Sequence, residues 1–259
     1  MDFKIYTTGE AVQLNGAKFM LYGAQDVGKT TLLTTMPDVL IVATEEGLTS
    51  IKEHNTPFIR VTKKDDIPHA IKWLETEKNL APFKSIALDS ITYLTHNILA
   101  EIMAARPDLK EPRQWYGELD RVIKPFIMCI LNLKKNVCIT AWQGEQHSKI
   151  GNRFERFIPD AAGQAIMKYL LHFFDVTAHL AKHQVTKYHI DPATGQYYRD
   201  AQGNYYPIQD ANGVIQTETV RMLQTREGNS IFARTRHSHL SDYEAPDLGA
   251  LITKISSGA

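Results

Sequence analysis

Residues 23–30 read Gly-Ala-Gln-Asp-Val-Gly-Lys-Thr. Glycines at 23 and 28 let backbone N–H groups turn inward around phosphate oxygens. Lys29 brings a cation to the β- and γ-phosphates, and the Thr30 hydroxyl is placed to hold Mg²⁺. The loop needs a strand before it and a helix after it. Lys18–Tyr22 is apolar enough for the strand, and Thr30–Met36, stopped by Pro37, supplies the helix. The residues expected to bind ATP are Gly23, Ala24, Gln25, Asp26, Val27, Gly28, Lys29, Thr30 and Thr31. The pattern arises by chance in roughly one chain per hundred of this length.

Such a loop also needs an acid at the end of a neighbouring strand. Ile86-Ala87-Leu88-Asp89-Ser90 ends an apolar run in a carboxylate, so Asp89 is the expected Mg²⁺ partner of Thr30. A helix N-cap is the competing use of Asp89 or Ser90. Hydrolysis requires a group that polarises water. Glu45 and Glu46 follow the apolar run Leu40–Ala43, at the carboxyl end of a strand where ligands of parallel sheets bind. The competing reading of this pair is two solvated loop acids. Gln143 ends a further apolar run, Val137–Ala141, where an amide can respond to the γ-phosphate.

The elements that would position these groups alternate. Apolar strands at 18–22, 39–43, 85–88 and 137–141 are separated by segments with helical spacing. Ile67, Ala70, Ile71 and Leu74 form one such face, and Trp115, Leu119, Val122, Ile123, Phe126 and Ile130 another, with a kink expected at Pro125. The pattern predicts an α/β fold, a mostly parallel sheet with helices on both faces. Residues 144–163 read as a long loop. From 175 onward the texture is β-rich, with strands at 175–185 and 217–223. Three turn signals, at 191–195, 200–203 and 210–213, punctuate a tyrosine-rich segment that reads as a hairpin or small meander. We expect a single domain over 1–259, with a core over about 15–183 and a β-rich extension over about 184–259.

The totals bound the function. The chain has 259 residues, 43% apolar, with 29 basic side chains against 29 acidic ones. Zero net charge argues against coating nucleic acid by bulk charge. Cys129 and Cys138 lie in apolar runs and read as buried free thiols of a reducing compartment. No apolar stretch approaches the roughly 20 residues that span a bilayer, and residues 1–4 do not begin a signal peptide. The expectation is a cytoplasmic protein without membrane contact.

The order of motifs resembles the RecA/DnaB-type ATPases: a P-loop, a strand ending in Glu, a strand ending in Asp-Ser, and a strand ending in Gln before a loop. More closely, Ala43-Thr44-Glu45-Glu46-Gly47-Leu48, Leu88-Asp89-Ser90, Val137–Ala141 and Gly163 with Phe174-Asp175 resemble the small phage RecA-like ATPases of the Sak-four type. The resemblance covers about 15–255. It implies a RecA-like P-loop core, Mg²⁺-dependent ATP hydrolysis, and a role in recombination or single-strand annealing, in a host cytoplasm for a phage-encoded chain. It places Glu45 as the catalytic glutamate and Gln143 as the γ-phosphate sensor. Arg234 and Arg236, carried by a strand expected at 230–233, resemble paired basic fingers that enter a neighbouring subunit's ATP site, which implies a homo-oligomer, ring or filament. The loops 104–114 and 144–162 fall where relatives hold single-stranded DNA. Ala43 departs from the Asp that relatives commonly carry, and only about 17 residues precede the core, with no polymerisation domain.

Within those loops the candidate DNA contacts are Arg106, Lys110 and Arg113, and Lys149, Arg153, Phe154 and Arg156. Basic and aromatic side chains suit phosphates and unstacked bases, although Asp108, Glu111, Glu145, Glu155 and Asp160 dilute the charge. Two functions follow. One is an ATPase acting on single-stranded DNA, beside a single-strand-binding protein. The other is an ATPase gripping a protein partner, such as a replication-helicase or packaging component. Tyr197, Tyr198, Tyr205 and Tyr206 are a further stacking candidate, for which hairpin strands offer a simpler account. His179 and His183 lack a third ligand for a metal.

Overall fold

The computed structural model describes residues 7, 10, 14–108, 111–192, 194–199 and 202–258. Its elements follow the chain as β1 (Lys18–Gly23), α1 (Lys29–Leu33), β2 (Val39–Ala43), β3 (Phe58–Arg60), α2 (Asp66–Leu74), α3 (Glu77–Leu80), β4 (Ser85–Asp89), α4 (Ile91–Ala105), α5 (Pro112–Asn132), β5 (Asn136–His147), β6 (Phe154–Pro159), α6 (Gln164–Leu170), β7 (Val176–Thr186), β8 (Thr217–Gln224), β9 (Arg234–Thr235), β10 (Tyr243–Glu244) and α7 (Leu248–Ser257).

The sheet order is β10-β8-β7-β1-β5-β4-β2-β3, with β6 on β5 and β9 on β7. From β3 to β7 every pairing is parallel, and β8 and β10 then add antiparallel strands at one edge. The phosphate-loop strand β1 is separated from the Asp89 strand β4 by β5, the arrangement of a RecA-like P-loop ATPase core. The fold class expected from the sequence is the one observed.

Strand residues alternate between two cores, as a sheet covered on both faces requires. Met20 and Tyr22, Leu40 and Val42, Ile86 and Leu88, and Val137 and Ile139 bury against α2–α6. Phe19 and Leu21, Ile41, Ala87 and Cys138 bury on the other face against α1 and α7. Lys18 closes the base of β1 by donating to the carbonyls of Asn15, Leu133 and Lys135 at 2.7–2.8 Å.

Three expectations change. Residues 144–162 are not a loop: β5 runs on to His147 and returns as β6, pairing Gln143 with Pro159 and Glu145 with Phe157. Polar residues on both strands hid this hairpin, because its exposed end has no apolar alternation to reveal it. The extension after 184 is not wholly β. Leu248, Leu251, Ile252 and Ile255 recur at helical spacing and pack α7 onto the core beside α1, and Asp247 caps that helix by accepting from the Ala250 N–H at 2.9 Å. The strand expected at 230–233 lies at Arg234–Thr235 instead, paired with the start of β7. The tyrosine-rich segment is bridged antiparallel at Tyr188–Pro207, Ile190–Tyr197 and Arg199–Tyr205, and rings of Tyr188, Tyr197 and Tyr205 pack together.

Candidate functional site: a phosphate loop with paired acids

The loop from Gly23 to Thr30 leaves β1 at the carboxyl edge of the parallel strands and feeds α1. Two glycines are demanded by the geometry. A Cβ on Gly23 would stand 2.4 Å from the Leu180 carbonyl oxygen, so only glycine lets β7 approach the loop. Gly28 has φ 97°, a conformation side chains rarely adopt. Val27 is buried and pins the loop, while Ala24, Gln25 and Asp26 are exposed at its crest and Thr31 at the start of α1. Lys29 Nζ donates to the Gly23 and Ala24 carbonyls at 2.8 and 2.7 Å, inside the concavity that the loop forms. Burial holds its ammonium below the ordinary lysine range, against the opposing pull of Asp89, Glu45 and Asp26.

Asp89, 4% exposed, is at the centre. Thr30 Oγ1 donates to its Oδ2 at 2.6 Å, and Thr140 Oγ1 donates to its Oδ1. Thr30 and Asp89 are thus brought together across 59 residues as the sequence suggested, whereas Thr140, the last buried hydroxyl of its run, was missed as a partner. The N-cap of α4 is Ser90, whose hydroxyl accepts from the Tyr93 N–H at 3.3 Å, which leaves Asp89 available to the site. Thr44 was also missed. Its N–H donates to the Asp89 carbonyl at 2.9 Å, and its hydroxyl accepts from the Ser90 N–H at 2.9 Å, locking the end of β2 to the end of β4.

That lock sets the next residue. Glu45 lies within electrostatic reach of both Asp89 and Lys29: burial raises its pKa, Asp89 raises it further, and Lys29 pulls it back. Glu46 turns the other way, exposed and 3.3 Å from Arg60. The two adjacent acids therefore have different environments, and only Glu45 belongs to the site. The oxygens of Thr30 and Asp89 form a hard donor pair that fits Mg²⁺.

Gln143 Oε1 is 2.7 Å from His179 Nε2. His179 is held neutral, with its pKa pushed down to about 4 by burial, then by His183 and Lys29. Its ring packs on Tyr22 at 4.9 Å. Tyr22 in turn donates to the Phe232 carbonyl at 2.6 Å and the Phe157 carbonyl at 3.1 Å. A continuous set of contacts thus runs from the phosphate loop to the β5–β6 hairpin.

The AAA_24 family, an AAA domain, matches residues 15–237. The chain belongs to that family. The matched span takes in the phosphate loop, Asp89 and the β7–β8 hairpin, so the site is that of a nucleotide-binding P-loop NTPase. Among solved structures, the AAA domain is similar to the flagellar accessory protein FlaH from Methanocaldococcus jannaschii, at 13% identity over 85% of this chain and 84% of that one, with a TM-score of 0.41. No curated protein matches.

The remaining sequence candidates are scattered over the AAA domain. Arg106 forks onto Asp108 at 3.0 Å, Arg113 is exposed at the start of α5, and Lys110 lies outside the described residues. Lys149, Arg153 and Phe154 are exposed at the tip of the β5–β6 hairpin, but Arg156 is engaged by Glu227, Gln146 and the Phe232 ring. Arg236 binds Asp175 at 3.5 Å and the His172 carbonyl, while Arg234 is exposed. Both sit at the start of β7, the edge of the sheet away from the phosphate loop. Cys138 is buried and Cys129 half-buried, both free. Among the described residues, no helix is long and apolar enough to cross a membrane.

Proposed function

We propose that this AAA domain hydrolyses Mg²⁺-bound ATP and uses the cycle to grip and release single-stranded DNA at the β5–β6 hairpin. The observation behind the chemistry is the convergence of Thr30, Asp89 and Glu45 beside Lys29. Thr30 and Asp89 would hold the metal, and Glu45 would accept the proton of the attacking water. Bound Mg²⁺ supplies charge to the β- and γ-phosphate oxygens. Lys29 sheds two carbonyl contacts to meet the nucleotide, and Gln143, held by His179, faces the γ-phosphate end of the site.

The observation behind the DNA reading is the hairpin tip. It carries Lys149, Arg153 and Phe154 in the open, and it is joined to the phosphate loop through Gln143 and through Tyr22. A cation and an aromatic face suit a phosphate and an unstacked base. Arg234, exposed at the far edge, would serve a neighbouring subunit in a homo-oligomer, with Arg236 bracing the turn beneath it. A protein partner is the second reading. It is favoured by Ile150, 89% exposed at the same tip, and by the engagement of Arg106 and Arg156 with acids of their own chain.

Single-strand binding measured across salt concentrations separates the two. The DNA reading predicts affinity that falls with salt at a slope of only a few phosphate contacts, and a loss on Lys149→Ala with Arg153→Ala while nucleotide binding persists. Equal affinity in wild type and double variant removes the hairpin as the DNA site, and a loss confined to Ile150→Ser in partner capture favours the protein.

A further inference from the structure

Lys182 of β7 and Arg221 of β8 are directly opposite each other in the antiparallel ladder. Residues so paired share one face of the sheet. That face is fixed by the next pair along it, Leu180 with Leu223, which is buried with Val27, Leu32 and Leu33 of the phosphate loop and α1. Beyond Leu180 the β7–β8 hairpin therefore carries its two cations out over the phosphate loop. The contact is close: a Cβ on Gly28 would stand 3.3 Å from both Cζ and Nε of Arg221 and 3.6 Å from Nη1.

Both side chains are exposed, and among the described residues neither is in an ion pair with a carboxylate. Like charges directly across a ladder repel and destabilise it. Such a pair is accounted for when an anion lies between the two side chains. The anion-binding surface beside them is the loop at Gly28, whose backbone cradles the α- and β-phosphates of a nucleotide.

We infer that Arg221, assisted by Lys182, clamps the α- and β-phosphates of the nucleotide held by its own chain. The inference rests on the nucleotide reading above and goes further: it assigns a positioning cation that comes from β8, in cis, whereas Arg234 and Arg236 lie at the opposite edge of the sheet. A guanidinium forms paired hydrogen bonds to phosphate that an ammonium cannot duplicate. Because the α- and β-phosphates are common to ATP and ADP, the clamp stabilises both, and its loss appears in KM more than in kcat.

The test is direct titration of wild type, Arg221→Ala, Arg221→Lys and Lys182→Ala with ATP and with ADP. The melting temperature without nucleotide serves as the control for folding. Loss of a charge-assisted pair of hydrogen bonds should weaken both nucleotides alike, by roughly 10- to 100-fold for Arg221→Ala. Arg221→Lys should recover part of that loss, and Lys182→Ala should show a smaller one. Unchanged affinity for ADP in both alanine variants overturns the clamp while leaving the nucleotide site intact. A wild type that binds neither nucleotide overturns the clamp and the proposed function together. Turnover at subsaturating ATP gives a second arm: adding Lys29→Ala chains to Arg221→Ala chains should not raise the turnover of the latter, since every site in the mixture still lacks one of the two cations, and a rise towards the wild-type rate would mean that the arginine serves a neighbour.

Discussion

Glu45 and Glu46 are adjacent in sequence and chemically alike, and the fold separates them. Thr44, hydrogen-bonded to the Asp89–Ser90 backbone, fixes the turn so that Glu45 is swept towards Lys29 and Asp89 while Glu46 reaches Arg60 in solvent. Burial and the neighbouring carboxylate both favour the protonated form of Glu45, which brings its proton affinity nearer to that of a working base. The expected result is that Glu45→Gln binds ATP but loses turnover by about 100-fold or more, whereas Glu46→Gln gives up only a surface ion pair worth under about 1 kcal/mol and keeps its rate. Single-turnover hydrolysis of the two variants checks this, and a reversed pattern would move the base to Glu46. At this scale the phosphate loop, Asp89 and Glu45 were legible because their types and order specify them. Thr140, Thr44, His179 and Arg221 were not: each earns its place through a partner more than 35 residues away, and no spacing rule announces such a pairing.

Among the elements, the parallel strands announced themselves by short apolar runs, and the buried faces of α2 and α5 by helical spacing. The β5–β6 hairpin escaped notice because its exposed end has no buried face. Helix α7 carried its apolar period openly, but its place in the core depends on the groove beside α1, where the Leu248 N–H donates to Thr35 Oγ1 at 2.8 Å. Tyr22 links the elements most economically. Its buried hydroxyl meets carbonyls of β6 and of the segment before β9, and burial raises its pKa. Tyr22→Phe leaves those carbonyls without that donor and should cost about 1–3 kcal/mol of stability. Urea unfolding measures it. The same variant should also weaken the response of hairpin accessibility, read by limited proteolysis, to added nucleotide. An unchanged midpoint and an unchanged proteolytic response would show that the hydroxyl ties nothing together.

The whole molecule is a sheet with its chemistry along one edge. The phosphate loop, Asp89 and Glu45 stand at the carboxyl ends of β1, β4 and β2, Gln143 lies just past the last β1 partner in β5, and the β7–β8 and β5–β6 hairpins both project past that edge. One hairpin lies against the loop at Gly28, and the other offers an exposed tip. A chain with zero net charge gathers cations locally, at Lys29, Lys182 and Arg221, where phosphates would sit. The account therefore stands or falls on phosphoryl chemistry at this edge. The most direct measurement is steady-state phosphate release from ATP by wild type and Lys29→Ala, with Mg²⁺ and with the metal chelated. Wild type should turn over only with Mg²⁺, and Lys29→Ala should fall by at least about 100-fold, because one fixed cation at the transferring phosphoryl group is lost. Turnover in Lys29→Ala equal to wild type, or hydrolysis that persists without the metal, would contradict the assignment.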